Sequence, residues 1–222
     1  MLTEHHCHIL PQIDDGSRSV EMSLKMIGMM RAQGVNEIFA TPHFYAHREK
    51  DIASYLAKRQ AALQKLVDAD ASNASIRLGA EVAIEHGISQ MKGIEQLRLG
   101  DTDYILLELP YGSFSHWQLE EINEIACEYG LTPIIAHIHR YLDDYSRDEM
   151  DVVLRTDAVF QINNEAFGNH KEKKFVKSLI RDGYPYLFGS DAHNLDDRRP
   201  NWDLLKKKVR QDVLDEAVHV LK

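Results

Sequence analysis

Nine side chains able to bind a divalent cation stand at or near the ends of short apolar runs: His6, His8, Asp15, His43, Glu81, Glu108, His137, Asp191 and His193. His6-Cys7-His8 is an i, i+2 pair. In an extended strand both imidazoles face one way and Cys7 the other, so Cys7 is expected to pack behind the strand. Asp191-Ala192-His193 repeats the spacing. A single zinc ion takes about four ligands, so nine donors imply two or three cations sharing carboxylates. Five imidazoles and four carboxylates without a thiolate suit Mn²⁺, Fe²⁺, Zn²⁺ or a mixture.

A site with two or three bridged cations suits hydrolysis of a phosphate ester, because the ions acidify a bound water and hold the phosphoryl oxygens. Such a site also needs cations that bind phosphate. Arg140 follows His137 by three residues, and Arg198 and Arg199 follow His193 by five and six. Guanidinium stays charged and fits a phosphate as a fork.

The positions of these residues follow from the elements around them. Short apolar runs at 3–8, 37–41, 75–81, 104–109, 132–137, 158–162 and 186–190 read as strands. Six of these seven runs deliver a metal-capable residue at or near their C-terminal ends. Amphipathic stretches lie between them. Ser19 caps a helix over 20–33 with Gly34 as its stop, and the Met residues at 22, 26, 29 and 30 fill the core along it. Further helices are expected over 52–67, over 117–129 between Ser115 and Gly130, over 171–181, and over 213–221. Strand and helix in alternation mean a parallel sheet with helices outside. Seven strands suggest a closed or nearly closed α/β barrel, whose active site is built at the C-terminal face. No linker, repeat or low-complexity run divides residues 1–222, which are expected to form one domain.

Composition narrows the chemistry further. The 222-residue chain carries a formal net charge of −9, 12 His and 2 Cys. The acidic balance argues against a nucleic-acid partner. The only basic stretch, Lys206-Lys207-Lys208 with Arg210, reads as a solvated helix face. No apolar run is long enough for a membrane span and no secretory signal opens the chain, so a cytoplasmic location is expected. Cys7 and Cys127 form no disulfide framework. A cysteine-dependent phosphatase needs an Arg six residues after its Cys; Ile13 and Pro133 stand there instead.

The ordered set His6-x-His8, Asp14-Asp15-Gly16, Thr41-Pro42-His43, Gly79-Ala80-Glu81, the Glu108 strand, Ile135 to Tyr141 and Gly189 to Asn194 is similar to the PHP (polymerase and histidinol phosphatase) superfamily. More narrowly, it resembles the metal-dependent protein-tyrosine phosphatases of bacterial capsular and exopolysaccharide synthesis. The resemblance implies a distorted (β/α)7 TIM-like barrel holding divalent cations, manganese first, with Fe, Zn or Mg as alternatives. It implies one ion pair at His6, His8, Glu81 and Asp191, with Glu81 bridging towards Glu108 and His137. Asp15, His43 and His193 would hold a third ion, and Arg140 and Arg198 the substrate phosphate. The implied substrate is a phosphotyrosine protein, a bacterial tyrosine kinase. A flat rim formed by Phe44, Tyr45, Tyr111 and Phe114 would receive the phosphotyrosine ring. His139 stands where the subgroup often has Glu and is expected as a rim histidine in solvent. Two alternatives share the same metal cluster: a small-molecule phosphatase such as histidinol-phosphate phosphatase, and a nuclease-like phosphoesterase.

Overall fold

The computed structural model describes residues 2–69, 75–218 and 220. Nine strands are present among them: β1 (Leu2–Cys7), β2 (Val35–Ala40), β3 (His43–Phe44), β4 (Ser75–Leu78), β5 (Glu81–Ala83), β6 (Tyr104–Glu108), β7 (Thr132–Ile135), β8 (Val159–Asn163) and β9 (Tyr186–Gly189). They correspond to the seven expected runs, because two of those runs are interrupted. The second breaks at Thr41-Pro42, where proline has no N–H to donate, and the third at Gly79-Ala80.

All pairings are parallel. One sheet has the order β1-β2-β4 and the other β3-β5-β6-β7-β8-β9. The seam between β9 and β1 is closed beyond the strand ends, where Asp191 N donates to His6 O at 2.7 Å and His8 N to Ala192 O at 2.9 Å. The breaks are spanned by Gly79 N to Ala40 O and Glu81 N to Pro42 O. The result is a distorted seven-stave parallel barrel, as expected. It is open where β4 has no strand partner on its far side.

Alternation along the staves divides the core. Phe39, Leu106, Ile134, Val159 and Leu187 form one buried cluster, and their chain neighbours Ile38, Ile105, Leu107, Ile135, Phe160 and Phe188 join a larger one with the helices. Five α-helices follow staves: α1 (Val20–Ala32), α2 (Ile52–Asp68), α3 (His116–Tyr129), α4 (Arg147–Leu154) and α5 (His170–Arg181). Ser19 Oγ accepts from Met22 N at the head of α1, and Met26 and Met30 are buried along it. Gly130 ends α3 in the left-handed conformation.

Two stretches differ from expectation. α4 was not foreseen, although Ser146 and Glu149 form a reciprocal capping box at its start. The helix expected over 213–221 is replaced by α6 (Trp202–Lys208) and α7 (Gln211–Glu216), and residues 219 and 221 lie outside the described residues. Lys206, Lys207 and Lys208 are exposed on α6.

Candidate metal centre

The register brings the nine expected donors to one end of the barrel. His43 on β3 is the direct neighbour of Glu81 on β5, and Glu108 sits opposite Ala83, two residues beyond Glu81. His137 and Asp191 take left-handed backbone angles (φ 30° and 49°), two of only three non-glycine residues with positive φ among the described residues. That conformation costs an L-residue of order 1–3 kcal/mol and is kept where surrounding structure enforces it, commonly at functional sites. Two glycines make the crowding possible. A Cβ on Gly16 would stand 2.4 Å from His8 Cβ, and one on Gly189 would stand 2.9 Å from His6 Cβ.

His6 Nε2 lies 3.2 Å from His8 Nε2, 3.0 Å from Glu81 Oε2 and 3.5 Å from Asp191 Oδ1. His8 Nε2 lies 3.3 Å and 3.4 Å from the same two oxygens. A cation bound at about 2.0–2.1 Å separates its adjacent donors by about 2.8–3.0 Å in an octahedron and about 3.3–3.4 Å in a tetrahedron. These four side chains therefore outline one coordination shell. His137 Nε2 stands 2.9 Å from Glu81 Oε1 and 3.4 Å from Glu108 Oε1. Asp15 Oδ1 is 3.5 Å from both His43 Nε2 and His193 Nε2. Glu81 Oε2, His43 Nδ1 and His193 Nε2 are buried without a hydrogen-bond partner. Orphaned donor atoms packed against each other are what a set of shared cations would leave behind, so the donor set fits a multinuclear site.

The electrostatics agree. Burial opposes ionisation of Glu81 and Asp191, yet neighbouring His6 and the other cationic partners hold both carboxyls well below the usual carboxylate range. Burial likewise opposes charge on His8, but Asp14, Asp191 and Glu81 hold its pKa well above the usual imidazole value. Against the same opposition, Glu108 and Glu81 raise His137 to about 9. The cluster thus stabilises positive charge, which a proton or a metal ion can supply.

A ring of acceptors turns the imidazoles inward. His8 Nδ1 donates to Asp14 Oδ2 at 2.7 Å, and His193 Nδ1 to the Asp191 carbonyl at 2.9 Å. Gln161 Oε1 accepts from His137 N at 2.6 Å and stands 3.1 Å from His6 Nδ1. Its Nε2 donates to Asn163 Oδ1, and Asn163 Nδ2 donates to Asp191 Oδ2 and Glu165 Oε1. With each Nδ1 committed as a donor, the Nε2 lone pairs of His6, His8 and His193 face the cluster. Sequence reasoning missed Asp14, Gln161, Asn163 and Glu165. For Gln161, Asn163 and Glu165 the signal was polar residues at i, i+2 spacing running out of the apolar β8 stretch, the one stave that brought no metal donor; Asp14 stood beside Asp15 in the loop after β1.

Asp191 joins this cluster to the arginines. Its Oδ1 faces the imidazoles, whereas its Oδ2 accepts from Arg198 at 2.9 Å and pairs with Arg140 Nη1 at 2.7 Å. Arg140 Nη2 also donates to Glu165. Arg140 and Arg198 keep 30% and 35% of their side chains exposed, so further N–H groups remain open to a ligand. Arg199 is exposed and makes no such contact.

The rim departs from expectation in three places. Phe44 is fully buried against Tyr55, because it faces the helix layer rather than the mouth. Phe114 packs half-buried against Tyr145. His139 is 1% exposed rather than in solvent; the left-handed turn at His137 ends the strand alternation, and Glu172 at 4.0 Å is its charged neighbour. Tyr45 and Tyr111 do border the site, with ring centroids 5.1 Å from His43 and 6.0 Å from His137. Cys7 is buried on the opposite face, its Sγ donating to Phe39 O, as expected.

Comparison with known proteins points the same way. Residues 2–221 match the family described as capsular polysaccharide synthesis, CpsB/CapC. The tyrosine-protein phosphatase CpsB of Streptococcus pneumoniae is 29% identical over 223 residues, covering 91% of this chain and 89% of its own. The tyrosine-protein phosphatase YwqE of Bacillus subtilis is 28% identical over 199 residues, covering 87% and 78%. A crystal structure from work on YwqE and CpsB, described as metal-dependent tyrosine phosphatases, superposes with a TM-score of 0.78 at 25% identity, over 96% of this chain and 90% of that one. Histidinol phosphate phosphatase from Lactococcus lactis, solved with zinc, L-histidinol and phosphate, shares the fold at a TM-score of 0.57 and 13% identity, over 96% and 92%.

Proposed function

The chain belongs to the CpsB/CapC family of capsular polysaccharide synthesis, and on that premise we propose that it is a metal-dependent protein-tyrosine phosphatase. One observation carries the reading. Arg140 and Arg198 meet on one oxygen of Asp191, whose other oxygen faces the imidazole and carboxylate cluster. A phosphoryl group held by those two guanidiniums lies against the cluster that would activate water.

The residues divide the work. His6, His8, Glu81 and Asp191 would hold one ion. Glu81, Glu108 and His137 would serve a second, and Asp15, His43 and His193 a third; the donor set accepts manganese, iron or zinc, and the family resemblance puts manganese first. Bound there, the ions supply Lewis acidity and lower the pKa of water. Arg140 and Arg198 use their free N–H groups to fix the phosphoryl oxygens and neutralise charge that grows during displacement. Tyr45 and Tyr111 flank the mouth, where a phosphotyrosine ring stacks more favourably than an aliphatic phosphate. The whole chain of 222 residues works as one catalytic unit in the cytoplasm, on a phosphotyrosine segment of a bacterial tyrosine kinase. No described helix is long and apolar enough to cross a membrane.

The test is turnover of a phosphotyrosine peptide and of histidinol phosphate under Mn²⁺, before and after exhaustive chelation. The reading expects preference for the peptide, loss of turnover on chelation and recovery on adding Mn²⁺. Preference for histidinol phosphate, or full turnover after chelation, refutes it.

A further inference from the structure

Away from the metal face, the barrel has a gap. β4 is an edge strand, paired to β2 on one side only. The crossover from β5 to β6 contains two short 3-10 turns, Ile88–Gln90 and Ile94–Leu97, where the other interior crossovers each carry an α-helix. A cavity of about 700 Å³ occupies this place, between α2, β4 and the 96–101 loop. That size lies within the usual range for small-molecule sites.

Its walls are Leu56 and Leu63 from α2 with Ile76 and Leu78 from β4, and three arginines line it: Arg59, Arg77 and Arg98. Arg59 is 8% exposed. Its Nη1 and Nη2 donate to the carbonyls of Gly79 and Gln96, and among the described residues no carboxylate pairs with it and its buried Nε has no hydrogen-bond partner. Arg98 makes no ion pair or side-chain hydrogen bond to any described residue. Among the described residues Arg77 has only Glu37, at 3.6 Å, as an ion-pair partner. The single acid among the described residues that line the cavity is Asp101. An acidic protein has thus placed three guanidiniums around one partly apolar space while leaving two of them without a counter-ion among the described residues. Of the three only Arg59 is buried, where a charge is normally paired; Arg77 and Arg98 are half-exposed, and a guanidinium is the natural partner of a phosphate, sulfonate or carboxylate.

We propose that this cavity binds a small organic anion: a phosphate, sulfonate or carboxylate head held by the arginines, with an apolar body against Leu56, Leu63, Ile76 and Leu78. None of its lining residues belongs to the metal centre, so the inference stands apart from the phosphatase reading.

Naphthalene-2-sulfonate is a suitable probe, titrated calorimetrically into the metal-loaded full chain. Arg98→Ala is the chosen variant, because this guanidinium holds no structural contact. The expected result is saturable one-to-one binding, weakened about tenfold or more by Arg98→Ala and unchanged by Arg198→Ala. Neutral 2-naphthol should bind about tenfold more weakly than the sulfonate, for the same lost ionic contact. Absence of saturable binding overturns the proposal. So does binding that Arg98→Ala leaves unchanged, that Arg198→Ala weakens as much, or that the neutral probe matches.

Discussion

Gln161 would touch no metal, yet it contacts both His6 and His137. It is fully buried, and its amide is fixed by two bonds: Nε2 donates to Asn163, and Oε1 accepts from the backbone of His137. His6 Nδ1, 3.1 Å from that same Oε1, must then be the donor, which leaves its Nε2 lone pair for a cation. Gln161→Leu keeps much of the volume and removes all three bonds. It orphans two buried donors, the His137 N–H and the His6 Nδ1–H, at about 1–3 kcal/mol each. Loss of a partner that orients a ligand typically lowers metal affinity about 10–100-fold, or about 1.4–2.8 kcal/mol. The assay is Mn²⁺ per chain by mass spectrometry across a buffered metal series, beside thermal unfolding of the metal-free protein. Gln161→Glu keeps the acceptor oxygen and is expected to bind metal better than Gln161→Leu. If Gln161→Leu binds metal within about twofold of the parent chain, against the range expected for such a partner, the orienting role is wrong even if the protein has lost stability.

The remaining expectations concern catalysis and pH. Asp191→Ala should lower turnover more than about a hundredfold with the far-ultraviolet circular dichroism retained, since one carboxylate serves the cation cluster and both arginines; a variant keeping half its activity contradicts this. Arg198→Ala should reduce kcat/KM about 10–100-fold at unchanged metal content, whereas Arg199→Ala should leave kinetics alone. Equal effects from the two would reverse the assignment. Glu4 is fully buried, and burial raises its pKa above 4.5 although Ser190, Trp202 and His6 donate to it. A raised carboxyl favours the folded state below its unfolded pKa, and that contribution is lost as pH rises through the folded pKa. The stability difference between the parent chain and Glu4→Gln should therefore turn against the parent as pH climbs from about 4.5. A difference that is flat with pH, followed by chemical denaturation of the metal-free proteins, would rule this out.

The seven staves were legible as apolar runs, and eight of the nine candidate donors stand at or near the ends of such runs, which parallel staves must gather on one face; Asp15 reaches it from the loop after β1. His139 misled: a histidine just past a strand end was expected in solvent, but β7 ends at Ile135 and the left-handed turn at His137 redirects the chain and buries it. Phe44 misled for a related reason: the strand resumes after Pro42, so alternation sends Phe44 to the helix side while His43 enters the site. The ambiguity between Arg198 and Arg199 could not be resolved by spacing. It is the 193–198 loop, closed by His193 N donating to Arg198 O, that presents Arg198 to Asp191 and leaves Arg199 outside.

What spacing could not reveal is the orientation of each imidazole. A histidine at the right strand end offers either of two nitrogens, and the choice depends on an acceptor distant in sequence. Gln161 is 155 residues from His6. Asp14 and the Asp191 carbonyl do the same for His8 and His193 from nearby turns, and Asp14 also accepts from His43 N. Because Gln161, Asn163 and Asp191 form one hydrogen-bonded chain ending on Arg140 and Arg198, the group that orients a ligand and the group that anchors the arginines are mechanically joined. Asn163→Leu breaks that chain in the middle. It should therefore weaken both metal retention and phosphate binding, whereas a site made of independent ligands would lose only one of them.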